Sequence, residues 1–132
     1  MNEYERLFAE IVERTKDGSL QWRQVPRKDN AELLLNADTV IRQFEAIFTR
    51  DDHPYKLLLL EKRVIEEGWF LRSERRTPEL HIVDDGELLT SLDRLYIHPD
   101  DIRSLLGLVE PHADRSRRLF GTTHPYRAAR QA

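Results

Sequence analysis

Asp85-Gly86 sits between two apolar-rich runs, Leu80 to Val83 and Leu88 to Leu92. A two-residue type I′ turn needs positive φ at both central positions, and Asp-Gly is among the pairs that meet this demand most cheaply. The segment from Pro78 to Pro99 is therefore predicted to hold a β-hairpin. A hairpin commits the chain to an antiparallel sheet, and other elements must bury that sheet's apolar face.

The rest of the sequence is read against this sheet. Tyr4, Leu7, Phe8, Ile11, Val12 and Thr15 follow helical spacing, so residues 3–16 are expected to form an amphipathic helix ended by Asp17-Gly18. Leu20, Trp22 and Gln24 alternate over a short run stopped by Pro26, as in an edge strand. Arg27 to Glu32 reads as a loop, and Leu33-Leu34-Leu35 as a short apolar run. Val40 to Thr49 fits both helical and strand periodicity. Strand is preferred because Arg50 to Pro54 has turn chemistry and Tyr55 to Leu60 must be a strand, with a five-residue connection between them. Residues 64–71 are expected to reverse direction near Glu66-Glu67-Gly68 and begin another strand. Residues 73–78 read as a loop.

With a two-residue turn at Asp85-Gly86, Val83 faces Leu88, Ile82 faces Leu89 and His81 faces Thr90. A bulge at Gly86 would shift this pairing. Both hairpin faces then carry apolar residues, so cover is expected on both, from one terminal helix and from loops or a partner. Pro99 with Asp100 and Asp101 reads as the opening of a second helix, with Ile102, Leu105, Leu106 and Val109 as its buried stripe. Pro111 is expected to stop it, Asp114 to Phe120 to add a short turn, and 121–132 to form a loose basic tail. The fold expected is one α+β domain over residues 1–120. An antiparallel meander of about four or five strands packs with an N-terminal and a C-terminal helix.

Composition narrows the function classes. The chain has no cysteine, which removes disulfides, thiolate nucleophiles and cysteine zinc sites together. The first residues lack the basic start and unbroken apolar stretch of a signal peptide, and no run is long enough to span a membrane, so a soluble cytoplasmic protein is expected. Residues 1–111 carry 16 Lys+Arg against 23 Asp+Glu, while 112–132 carry five Arg against one Asp. An acidic body disfavours nucleic acid.

No motif carries chemistry by itself. His98-Pro99-Asp100-Asp101 is explained as a helix start, and Asp84-Asp85 with Glu87 as a turn. The five glycines never cluster as a phosphate loop requires. The histidines are scattered, and His81 reads as a satisfied sheet residue. No catalytic, metal or cofactor residues are assigned. Trp69 and Phe70 beside Arg72, Arg75 and Arg76 form the candidate interaction patch, set against the plainer reading of core aromatics followed by a charged loop. The expected function is a non-enzymatic interaction module that binds another protein, as adaptor, subunit or immunity-type inhibitor, with a homodimer as one version. One alternative is a small-ligand binder or enzyme whose site assembles only in the fold, recognisable by a deep pocket holding a histidine with a carboxylate. The other is a nucleic-acid-associated protein using the basic tail.

Overall fold

A computed structural model describes residues 1–25, 40–92 and 96–120, with backbone alone for 114–120. The expectations for Arg27 to Glu32, for Leu33-Leu34-Leu35 and for the tail 121–132 lie outside the described residues. The elements are α1 (Glu3–Lys16), β1 (Arg23–Val25), β2 (Val40–Arg50), β3 (His53–Glu67), β4 (Arg72–Asp84), β5 (Glu87–Leu92) and α2 (Pro99–Phe120). The strands form one antiparallel sheet in sequence order, β1-β2-β3-β4-β5. This is the expected α+β meander, with five strands.

Helix α1 starts where Asn2 caps it, its Oδ1 accepting from Glu5 N at 2.8 Å. It ends at Asp17, and Gly18 takes φ +82°. Thr15 Oγ1 then receives Trp22 Nε1–H at 3.0 Å. This bond satisfies the buried indole and ties the end of α1 to the chain entering β1.

Both helices pack on the same sheet face. Phe44, Ala46 and Phe48 of β2, Leu57 and Leu59 of β3, Leu80 and Ile82 of β4, and Leu92 of β5 meet Ile11 of α1 and Ile102, Leu105, Leu106 and Val109 of α2 in one core. Alternation along each strand puts these residues on one side. Arg42 fastens α2 to this face, with Nε on Glu61 at 2.9 Å and Nη2 on Glu110. On the opposite face a smaller cluster of Val40, Leu58 and Leu60 is buried. The four-leucine run therefore contributes to both sides.

Four local expectations are corrected. The connection after β2 is a two-residue turn, with Asp51 and Asp52 at φ 52° and 63° and Arg50 opposite His53. Its short aspartate side chains tolerate the left-handed region, so the strands continue to the very ends of the segment. Residues 73–78 are strand, because β4 pairs with β3 from Arg72 onwards. Pro111 lies inside α2 and does not end it. Gly107 is at the i−4 position, whose carbonyl a proline ring crowds. Buried Ala113, together with His112 Nε2 at 2.9 Å from Gln21 Oε1, holds the segment beyond the proline against the body.

The fourth correction is in register. Asp85 and Gly86 take φ 52° and 81°, the type I′ signature, and Val83 faces Leu88. Ile82, however, pairs with Thr90, and His81 with Ser91. Leu89 is an extra residue in β5, a bulge separated from the turn by two pairs, Asp84 with Glu87 and Val83 with Leu88.

Candidate functional site

Two features separate from the packed body. One is a hydrogen-bonded polar array on the second sheet face. The other is a two-stranded arm.

The bulge at Leu89 sets His81 opposite Ser91. Their side chains share a face with Glu79, two residues before His81 on β4, and with Lys62 on β3. Ser91 Oγ lies 2.6 Å from His81 Nδ1, and His81 Nε2 lies 3.0 Å from Glu79 Oε1. Lys62 Nζ is 3.1 Å from Glu79 Oε2. The hydrogen bond to His81 holds the Glu79 carboxyl below the usual glutamate range, partial burial opposes this, and Lys62 reinforces it. An ionised carboxylate only accepts, so the neutral imidazole carries its proton on Nε2. Its Nδ1 is then an acceptor, and the Ser91 hydroxyl donates to it.

Beside this array is an open cavity of about 620 Å³. It lies where β4 continues past its last pair with β5, Leu80 with Leu92, and it is flanked by the first turns of α2. His81, Ser91, Glu79, Thr77, Arg75 and Arg103 are among its lining residues. The helix start at its rim is built as expected. His98 Nδ1 accepts from Asp100 N at 3.1 Å, and Arg103 bridges Asp100 at 2.7 Å. Among the described residues no group of histidines and carboxylates is arranged to hold a metal ion.

The arm comes from unequal strand lengths. Pairing between β2 and β3 ends at Val40 with Lys62, while β3 and β4 remain paired to Glu67 with Arg72. Among the described residues, 63–67 and 72–76 pair only with each other. Five rungs at about 3.3 Å each carry the ribbon roughly 17 Å beyond the sheet. At its end Gly68 N–H donates to Leu71 O at 2.8 Å, and the chain reverses over Trp69-Phe70. Trp69 is 96% exposed, Phe70 93% and Leu71 78%. These aromatics are not core residues.

The candidate interaction residues are thus distributed along the arm. Trp69 and Phe70 form its tip, and Arg72 opens β4 opposite Glu67. Arg75 pairs with Glu66 at 2.9 Å and also lines the cavity. Arg76 points to the helix-bearing face, 3.8 Å from Glu61, while its carbonyl lies 3.5 Å from Arg103 Nη2. Arg75 and Arg76 leave opposite faces of the strand and do not make one basic surface. Sequence reasoning missed Ser91, Glu79 and Lys62 as partners of His81. The Glu-x-His spacing on one strand was the available signal, but the bulge that brings Ser91 into line has no sequence marker. A comparison with protein-family models, curated proteins and solved structures found no match.

Proposed function

We propose that this protein is an interaction module whose arm docks its tip, Trp69-Phe70-Leu71, into an apolar cleft on another protein. The observation that carries this reading is the near-complete exposure of three consecutive large apolar side chains on a projecting ribbon. Aromatics in such positions offer large contact areas at low entropic cost and dominate interface energetics.

Charge and area support a protein cleft as the target. Along the ribbon Arg63 pairs with Glu74 at 3.0 Å and Arg75 with Glu66 at 2.9 Å, so cations are largely matched by neighbouring acids. With an acidic body behind it, this arm has little attraction for nucleic acid or an anionic lipid surface. Two aromatics and a leucine bury roughly 500 Å² on the scale of about 150–250 Å² per aromatic. A tip-to-tip dimer would remain below the standard interface of about 800 Å² per partner. A convex anchor in a concave pocket uses the same small area more effectively.

The test is affinity capture of the tagged protein from its native lysate, with and without nuclease, beside the variant W69S/F70S. A nuclease-resistant partner held by the wild type and lost by the variant is the expected result. Equal capture by both proteins, or a yield that disappears with nuclease, would overturn the reading.

A further inference from the structure

The array on the second sheet face has the connectivity of an activated nucleophile. We propose that Ser91 is a nucleophile, with His81 as its general base, and that the adjoining cavity admits a small acyl ester. This inference does not rest on the reading of the arm's tip.

Three observations carry it. First, hydroxyl and imidazole are at 2.6 Å, within the reach that proton transfer requires. Second, with a neutral imidazole the polarity of the chain of bonds follows from the Glu79 carboxylate. Lys62 orients Glu79, Glu79 fixes the proton on Nε2, and Nδ1 is left as the acceptor facing the Ser91 hydroxyl. A general base needs that tautomer, and the third group of a triad normally secures it. Third, Ser91 and His81 both line the same open cavity, so the array is not sealed within the core. Arg75 and Arg103 line it too. Each retains one acidic partner, Glu66 and Asp100. Their guanidinium groups give the cavity positive charge, which suits the carboxylate product.

The chemistry balances without a cofactor. Ser91 Oγ bonds to the ester carbonyl carbon as its proton passes to His81 Nδ1. The intermediate collapses, the bond to the leaving oxygen breaks, and that oxygen takes the proton from Nδ1 as an alcohol. Water then gives a proton to Nδ1 and attacks the acyl carbon. Ser91 Oγ departs with that proton, and the carboxylic acid is released. Glu79 touches no reacting atom and is a positioning residue.

The full chain is incubated with a fluorophosphonate probe, and the modified serine is located by peptide mass mapping. Hydrolysis of p-nitrophenyl acetate is followed in parallel. The expected result is selective labelling of Ser91, abolished in S91A, with ester hydrolysis by the wild type well above that of S91A. E79Q keeps the nucleophile but loses the fixed tautomer, and labelling slows about 100-fold, at the lower end of general-base effects. Its fold is checked by circular dichroism, and a well-folded E79Q that labels at the wild-type rate overturns the proposal. So does a folded wild type that leaves Ser91 unlabelled, or labels it no faster than exposed Ser73.

Discussion

At the scale of single residues, the structure places its ionic bonds where each can be tested. Arg42 is a part-buried cation shared between the sheet and α2. Burial works against its charge, yet hydrogen bonds to Glu61 and Glu110 more than offset this and move its pKa up. Removing it leaves two carboxylates facing each other. R42A is expected to cost about 2 kcal/mol in urea unfolding, less than the roughly 3–5 kcal/mol of a fully buried pair, because Glu110 keeps access to water. Glu79 gives a pH signature. Its carboxyl titrates below its ordinary 4.5 in the fold, so folding favours the ionised form. That contribution is complete above the unfolded value and is lost as pH falls through the folded one. The stability of the wild type relative to E79Q is therefore expected to shrink as pH falls below about 4.5. Thermal unfolding of both proteins across that range measures it. A difference that does not shrink below about pH 4.5 would contradict the Glu79–His81 geometry.

At the scale of elements, turns and strand ends decide the architecture. Asp51 and Asp52 both occupy the left-handed region, where asparagine and glycine are better suited. D51N/D52G is expected to stabilise the protein by about 1 kcal/mol, read as a rise in the urea midpoint at unchanged slope. Much of this level was legible in the sequence. The stripe from Tyr4 to Thr15, the Asp-Gly turn and the Pro99-Asp100-Asp101 helix start each follow from local rules, and each is where those rules put it. The misses share a physical cause. Residues 73–78 look like loop because the run is polar and Glu74 and Pro78 have poor strand propensity, but pairing with β3 overrides that propensity. Pro111 looks like a terminus because local sterics disfavour it, but Ala113 and His112 are held by residues distant in sequence. The candidate site was only half legible. Trp69 and Phe70 could be singled out by their arginine neighbours, whereas Ser91 reaches His81 through a bulge that depends on the packing of β5.

At the scale of the whole molecule, the chain divides its work between a core with both helices on one side and an arm with no core of its own. The two tryptophans report on these parts separately. Trp22 is buried and bonded to Thr15, and Trp69 is almost fully exposed. Acrylamide is expected to quench the emission of Trp69 readily and that of Trp22 poorly, so that W69S removes most of the quenchable signal. W69S/F70S is also expected to unfold within about 0.5 kcal/mol of the wild type, since exposed side chains contribute little to the folded state. Chemical denaturation checks this, and a large loss would mean that the tip packs against the body.

The ribbon also has a mechanical consequence. β3 and β4 run unbroken from the buried sheet to the tip, so a force applied at Trp69 pulls on the strands that carry Lys62, Glu79 and His81. Such a load runs along both strands together, because the turn at Gly68 to Leu71 joins them at the tip. From Lys62 inward β2 shares the load, and from Leu80 inward β5 does too. The arm is therefore a lever that delivers load to the middle of the sheet, where β2 and β5 flank the two strands.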